Sequence, residues 1–277
     1  MTDLSLQAWL RREIRTVLRQ RFLAEADALR GVPHDAESSD VLPSPERVPL
    51  QLSTDSTAIW YRCAITLALA RGAPERSRPL ATALAGTLAA RLHPLGMGCR
   101  MEDPGWLDCY LGDRALARWL QRALDAGPPA DASSHGSATA GTFALQYAHA
   151  RCRSLLQLGH RQGTIRLGAA GQWLAPQPVP WRSAGALQLC HPSERAAIAA
   201  AIATADGEAG ARPDWARCGR QLGEALLALH RDCRIWGNVA QQQPQLAQAR
   251  LGLVAIGRSL LARLLQRGLG TGTLPGL

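Results

Sequence analysis

The chain has 277 residues, enough for two domains of ordinary size that each bury a hydrophobic core. It carries a net charge of +9, from 31 basic residues that are all arginine and 22 acidic residues. No stretch is long and apolar enough to cross a membrane, and the first thirty residues are amphipathic and charged, unlike a secretory signal. These features exclude a membrane protein, and we expect a cytoplasmic location.

Cysteine and histidine spacing gives no sign of a metal or a disulfide framework. The seven cysteines are odd in number and scattered, without a CxxC pair, and the seven histidines include no HExxH pattern. We therefore expect buried free thiols in a reducing compartment, no metal site and no cofactor.

Positive charge is concentrated in the second half of the chain. Residues 1–125 contain 16 arginines and 15 carboxylates, a net charge of +1, whereas residues 126–277 contain 15 arginines and 7 carboxylates, a net charge of +8. No carboxylate occurs between Asp131 and Glu194. Clustered guanidinium groups bind phosphates, so this pattern favours a polyanionic partner. The absence of lysine also indicates a genomic composition bias, which would explain part of the arginine excess without any function.

The first 125 residues predict a small α+β domain. Helical and alternating hydrophobic patterns, with Gly and Pro as breakers, define its elements. In chain order these are a helix over Leu4–Arg30, a strand in "RVPLQLS", helices over Ser56–Arg71 and Pro79–Leu92, a hairpin in "GCRMEDPGWLDCYL", and a helix that is capped by Asp113 and ends at Leu124.

Residues 126–141, "AGPPADASSHGSATAG", consist of small residues and turn formers and predict a linker. Residues 142–277 predict an all-α helical bundle, so that the protein is mostly α overall. Its predicted helices cover Thr142–Gly159, Ser193–Thr204, Trp215–Trp236 and Pro244–Arg267. The Gly- and Pro-rich segment over residues 163–192, with two tryptophans, is predicted to be a loop.

Several of these segments resemble parts of the class I arginyl-tRNA synthetases. "QYAHARCRSLL" resembles the first helix of their DALR-type helical anticodon-binding domain, and "ALLALHRDCRIWG" and "QARLGLVAIGRSLLARLLQRGLG" resemble its last two helices. "DPGWLDCYLGDRALARWLQ" is similar to a hairpin and helix of the additional N-terminal domain, which contacts the tRNA elbow in that family. The resemblance implies a DALR anticodon-binding-like fold for residues 142–277 and tRNA, or another structured RNA, as a partner.

The catalytic domain of that family has no counterpart here. Its HxGH motif is absent, and a chain without lysine cannot contain KMSK. The resemblance therefore implies a non-catalytic RNA-binding protein that does not aminoacylate tRNA by itself. Two alternatives remain: a protein-interaction or regulatory scaffold that has lost RNA binding, and a subunit that acts with a separate catalytic partner. The eight tryptophans, two of them in the segment 163–192, favour the scaffold.

Candidate RNA contacts follow from the helix over Thr142–Gly159. At 100° per residue, one stripe of this helix is predicted to face solvent, and it contains Gln146, His149, Arg153 and Gln157. We predict RNA contacts at His149, Arg153 and Gln157 and, beyond the helix, at Arg161 and Arg166. The alternative is that a charged stripe is simply a solvated face.

The resemblance adds one residue to this set. In the family, a Tyr and an Asn of the N-terminal domain belong to the segment expected to contact the tRNA elbow. The aligned segment here is "AIWYRCA", which retains the tyrosine as Tyr61 and replaces the Asn with Ala64. Tyr61 is therefore a further candidate RNA contact.

The opposite face of the same helix is predicted to be core. It contains Phe143 and Tyr147, with Arg151 in its middle. A buried guanidinium needs a carboxylate, because desolvating an unpaired charge costs several kcal/mol. The wheel of the last helix places Arg250 among leucines in the same way. We predict a structural ion-pair cluster of Arg151, Arg250 and Asp232, with Glu224 as the second candidate for the carboxylate.

Overall fold

The structure is a computed structural model that describes residues 4–28, 43–55, 57–70, 74–129, 142–210 and 213–270. Its contacts divide the chain into two compact units, which we call the N-terminal unit (residues 6–112) and the C-terminal unit (residues 113–277 together with residues 1–5). The mostly α character and the α+β part of the prediction are confirmed. None of the helices in the described ranges is both long enough and apolar enough to span a membrane.

Within its described residues, the N-terminal unit combines three α-helices with a four-stranded antiparallel sheet. Along the chain its elements are α1 (Leu6–Ala28), β1 (Leu50–Thr54), β2 (Ile59–Cys63), α2 (Ile65–Leu69), α3 (Pro74–Leu92), β3 (Met97–Glu102) and β4 (Trp106–Leu111). The strands lie in the order β1-β2-β4-β3, so β3 and β4 form the predicted hairpin. The first helix, the first strand and this hairpin were predicted correctly.

One face of the sheet forms the core of this unit with the helices. Strand residues alternate between the two faces, and Tyr61, Leu107 and Cys109 are fully buried on the helix side. Apolar residues of α1 at helical spacing, such as Leu10 and Ile14, are also fully buried. The alternation of apolar residues in each strand therefore sets which face receives the helices.

The helix predicted over Ser56–Arg71 is wrong. Most of this segment forms β2 and the short α2, and β2 pairs with both β1 and β4. The Asp55 carboxylate accepts hydrogen bonds from the backbone N–H groups of Thr57 and Ala58 and so closes the turn into β2. The aromatic and β-branched residues of "IWYRC" favour a strand. Hydrogen bonds to strands on both sides stabilise β2 more than the Ala/Leu pattern of the following residues favours a helix.

The opposite face of the sheet is polar and aromatic. Arg62 binds Asp108 in bidentate fashion, with nitrogen–oxygen distances of 2.8 and 2.6 Å. The same guanidinium lies 5.7 Å from the ring centroid of Trp106, and Arg100 lies 4.4 Å from that of Tyr110. Because the Asp108 side chain is almost fully buried, Arg62 supplies the counter-charge that its burial requires.

The C-terminal unit is built around one long helix. Its helices are α4 (Asp113–Asp125), α5 (Phe143–Arg161), α6 (Pro192–Glu208), α7 (Trp215–Asp232), α8 (Asn238–Gln242) and α9 (Pro244–Arg263), and α9 continues into a π-helical turn over Leu264–Gly268. Helix α9 packs against α4, α5, α6 and α7 and is buried along most of its length. The four helices predicted in this half of the chain are confirmed, with ends that shift by a few residues.

The predicted loop over residues 163–192 contains two short β-hairpins. Strands β5 (Arg166–Leu167) and β6 (Trp173–Ala175) pair with each other, as do β7 (Arg182–Ser183) and β8 (Ala186–Leu187). Trp173 and Trp181 are buried here, and their indole N–H groups donate to Pro176 O and Gln121 Oε1. These tryptophans therefore build the unit and do not form an exposed interface, which removes one argument for the scaffold.

The units divide between Gly112 and Asp113, before the predicted boundary at residue 125. Helix α4 belongs to the C-terminal unit because its first residue binds that unit. The Asp113 carboxylate accepts a hydrogen bond from Leu187 N at 3.0 Å and one from Arg195 Nη2 at 3.2 Å. Most of the predicted linker, residues 130–141, lies outside the described residues.

The Arg62–Asp108 pair gives a test of this sheet. Replacing Arg62 with Ala leaves the buried carboxylate without its counter-charge, so the free energy of unfolding should fall by roughly 2–3 kcal/mol. Arg100→Ala is the matched control, because Arg100 is exposed, and its solvent ion pair with Glu102 and its contact with the Tyr110 ring together should contribute about 1 kcal/mol or less. Urea unfolding measures both values, and equal losses in the two variants would contradict the assignment.

Candidate nucleic-acid interface

Helix α5 is turned relative to the predicted wheel. Gln146 and His149 were predicted to face solvent, but they are 1% and 3% exposed. Phe143 and Tyr147 were predicted to be core, but they are 61% and 40% exposed. The solvent-facing prediction for the first pair and the core prediction for the second are therefore wrong.

Small residues where α5 meets its neighbouring helices explain this rotation. Both α7 and α9 pack against α5. Gly219 of α7 lies directly against Leu145, and Gly159 of α5 lies against Leu251 of α9, so that a Cβ atom at either glycine would collide with the leucine. These close approaches bury a broad arc of α5 that its hydrophobicity alone does not reveal, and the polar residues within that arc are buried with it.

His149 cannot act as an RNA contact in this position. Its Nδ1 atom is buried without a hydrogen-bond partner. Burial and the nearby charges of Arg258 and Arg153 lower the pKa of His149 to about 4. The ring is therefore neutral near pH 7 and is enclosed within the helical bundle.

Tyr61 also lies away from any surface. It occupies the helix side of β2 and is 0% exposed. A ring buried in the core of the N-terminal unit cannot stack on an RNA base without unfolding that unit. The prediction of an RNA contact at Tyr61 thus conflicts with its burial.

The remaining predicted contacts follow the second half of α5. Arg153 is half-buried, whereas Gln157, Arg161 and Arg166 are exposed. Arg161 is the last residue of α5 and Arg166 begins β5, and between them the chain reverses at Gly163, which has a φ of +74°. The structure thus leaves two exposed arginines near one chain reversal.

An open groove of about 460 Å³ adjoins this reversal, and we call it the α5–β5 groove. Its lining residues, none of which is acidic, are His160, Gly163, Thr164, Ile165, Arg166, Ala175, Pro176 and Gln248. His160 Nδ1 accepts a hydrogen bond from Leu167 N at 3.4 Å, and Gln248 Nε2 donates to Thr164 O at 3.1 Å. The groove therefore offers one cation, one planar ring and no carboxylate.

The predicted cluster of Arg151, Arg250 and Asp232 does not form. Arg250 is buried, as predicted, but its partner is Glu194, with 2.6 Å between Nε and Oε1 and side chains 11% and 1% exposed. The other Glu194 oxygen accepts from His191 N at 2.8 Å, which completes a capping box at the start of α6. Glu194 thus neutralises Arg250 and caps a helix at once.

The other two predicted members have separate partners. Asp232 is exposed and accepts hydrogen bonds from Ser193 Oγ and Arg231 Nε. Arg151 is half-buried and its Nη2 lies 2.7 Å from His230 Nε2. Because a guanidinium only donates, this nitrogen of His230 accepts and the ring is neutral. Burial first, and then the Arg151 charge, lowers the pKa of His230.

Sequence reasoning missed Glu194, His230 and the α5–β5 groove. For Glu194 a signal was present, because a Glu at the third position after a helix start is typical of a capping box. His230 is 79 residues from its partner Arg151, and Gln248 is distant in the chain from the other groove residues, so no local pattern predicts either contact. In the described ranges, no group of three or more His, Cys, Asp or Glu residues is arranged to hold a metal ion.

Comparisons with known proteins give no relative. No family model matches the sequence, and no curated protein or solved structure is significantly similar to this chain.

The Glu194–Arg250 pair can be distinguished from the predicted one by mutation. Glu194→Gln keeps the shape of the side chain but leaves a buried guanidinium uncompensated, so we expect a loss of about 3–5 kcal/mol in the free energy of unfolding. Asp232→Asn changes an exposed carboxylate and should cost less than about 1 kcal/mol. Urea titration measures both, and a larger loss for Asp232→Asn would contradict this pairing.

Burial of His149 predicts a pH dependence of stability. The pKa of a histidine is about 6.5 in an unfolded chain and that of His149 is about 4 in the folded protein, so the unfolded state binds more protons between these values. The contribution of His149 to the free energy of unfolding is therefore fully present above pH 6.5 and is lost as the pH falls towards 4. Between pH 8 and pH 5 the contribution of His149 should fall by about 2 kcal/mol.

The check is urea unfolding of the wild type, His149→Gln and His160→Gln at both pH values. His149→Gln should remove this part of the pH dependence, and His160→Gln, at an exposed position, should retain it. The prediction fails if all three proteins lose the same stability between pH 8 and pH 5.

Proposed function

We propose that this protein is a non-catalytic RNA-binding protein that binds tRNA or another structured RNA through its C-terminal unit. The observation that carries the proposal is the α5–β5 groove, which adjoins the exposed Arg161, includes the exposed Arg166 and has no carboxylate in its lining. The resemblance of the sequence to a tRNA-binding module supports the same assignment, and the proposed location is the cytoplasm.

Electrostatics favours a phosphate backbone at this site. No carboxylate lies between Asp131 and Glu194 in the sequence, so Arg161 and Arg166 have no acidic neighbour along the chain. Exposed arginines of this kind can bind phosphate oxygens with two parallel hydrogen bonds, and they release counterions from the RNA on binding. The site therefore attracts polyanions and repels cations.

The side chains that line the groove suit an unpaired nucleotide. His160 places an exposed imidazole beside Arg166, and Thr164 and Gln248 add neutral hydrogen-bonding groups. Single-stranded loops of RNA are recognised by stacking of bases on planar side chains and by hydrogen bonds to base edges. A loop base in the groove, with its phosphates on the arginines, would use each of these groups.

The absence of HxGH and KMSK motifs supports the non-catalytic part of the proposal. The RNA would be bound and released unchanged, so affinity, and not turnover, is the property to measure. Arg153 and Gln157, on the same half of α5, would extend the contact along the RNA.

A protein-interaction scaffold is the second candidate, and one observation favours it. Phe143 and Tyr147 lie one helical turn apart on α5 and are 61% and 40% exposed. Exposed aromatic side chains are enriched at protein interfaces. In this alternative the partner is a protein that covers these two rings, and the arginines near the groove are only solvated.

Measurement of tRNA affinity over a salt series tests the proposal. The double variant Arg161→Ala/Arg166→Ala should bind tRNA on the order of 10-fold more weakly than the wild type at low salt. The slope of log K against log salt should become shallower by about 1.5, because two phosphate contacts are lost. The matched control is Arg114→Ala/Arg122→Ala, which removes two exposed arginines from α4.

Each outcome of this experiment has a clear meaning. A weaker affinity for the groove variant alone supports binding at the groove. Equal losses in both double variants would indicate a response to net charge and would contradict a site at the groove. If the wild type binds no tRNA at low salt, while Phe143→Ala/Tyr147→Ala abolishes a protein complex, the scaffold is correct.

A further inference from the structure

Two cysteines face each other across the hairpin of β3 and β4. Cys99 and Cys109 are directly opposite partners in the antiparallel register. Cys109 Sγ donates a hydrogen bond to Cys99 Sγ at 3.4 Å. The Cα atoms of such opposite pairs are about 4.5–5.5 Å apart, which lies inside the range of about 4.4–6.8 Å that disulfides span. The backbone is therefore already arranged for a bond between these two sulfurs.

Access to the pair comes from the edge of the sheet. Strand β3 is an edge strand, and Cys99 on it is half-buried, whereas Cys109 on β4 is buried. The hydrogen bond to Cys99 and burial raise the pKa of Cys109 well above its usual range. Because Cys99 is the more exposed of the two sulfurs, it is the one that an oxidant meets first.

We propose that Cys99 and Cys109 form a peroxide-oxidisable pair that closes a reversible disulfide between β3 and β4. The Cys99 thiolate attacks one oxygen of hydrogen peroxide, the O–O bond breaks, and Cys99 sulfenic acid and hydroxide form. The Cys109 sulfur then attacks the sulfenic sulfur, the S–O bond breaks, and the departing oxygen takes up the Cys109 proton and leaves as water. In total, two thiols are oxidised to one disulfide, and one hydrogen peroxide is reduced to two molecules of water.

Three further cysteines serve as comparisons. Cys63 and Cys152 are buried, burial raises the pKa of each to about 12, and neither sulfur is hydrogen-bonded to another cysteine as Cys109 is to Cys99. Cys190 is exposed. Its reaction with peroxide would therefore give a sulfenic acid or a link between two molecules, and so it serves as a control for exposure alone.

The disulfide would link the edge strand β3 covalently to β4. It would close the loop over residues 99–109, which contains the turn at Pro104 and Gly105, and so restrain the separation of β3 from β4. A dithiol reductant would reopen it. This proposal concerns the N-terminal unit and is independent of the RNA-binding proposal.

Tryptic mapping of the full chain tests the proposal directly. The protein is treated with hydrogen peroxide under native conditions, its remaining thiols are alkylated, and it is digested without reduction. Cleavage at Arg91, Arg100 and Arg114 places the two cysteines on separate peptides, Leu92–Arg100 and Met101–Arg114. We expect these two peptides to be linked, which removes two of the seven thiols, and any reaction of the exposed Cys190 removes a further thiol without linking these peptides.

Two variants separate a specific pair from general oxidation. Cys190→Ser should retain the linked peptides, and Cys99→Ser should abolish them without a new intramolecular link. Peroxide treatment that oxidises Cys99 only to its sulfinic or sulfonic acid, or that links Cys99 or Cys109 to a different cysteine in the native wild type, would overturn the proposal. The peptide map of the wild type decides the question even if Cys99→Ser fails to fold.

Discussion

Burial of α9 is the constraint on which the C-terminal unit depends. This helix contacts α4, α5, α6 and α7, so its surface must be apolar or closely compensated on nearly every side. Glycine and alanine let the neighbouring helices approach, as at Gly257, where an added Cβ would collide with Leu226 of α7. Arg250 on the same helix then requires a carboxylate, and Glu194 supplies it at 2.6 Å.

This constraint also determines which charges of the C-terminal unit remain unpaired at its surface. Several carboxylates of the C-terminal unit are used to pair with arginines that are largely buried: Glu194 with Arg250, Glu208 with Arg263, and Asp113 with Arg195. Paired in this way, these acids do not neutralise the surface. The excess of arginine is therefore left to exposed positions such as Arg161 and Arg166. The buried ion pairs and the cationic surface are thus two consequences of the same distribution of acids.

Much of the fold could be predicted from local pattern, and much of the site could not. Helical spacing located α1, α5, α7 and α9 because each carries a sustained apolar stripe. Helical spacing did not predict the orientation of α5, because a helix packed between two others buries more of its circumference than the part that carries apolar residues. His149 and Tyr147 therefore exchanged their expected environments. The α5–β5 groove joins Gln248 to residues near position 160, a contact that only the folded chain creates.

Composition and short-range periodicity were enough to predict the positions of most helices and the β3–β4 hairpin, and they include the arginine excess of the second half and the lack of HxGH and KMSK motifs. Three features came to light only in the folded chain: the Arg250–Glu194 pair, the strand β2, and the place of Arg161 and Arg166 beside a groove without carboxylates. These features depend on pairing and burial between distant segments. Long-range packing outweighs local propensity wherever the two disagree.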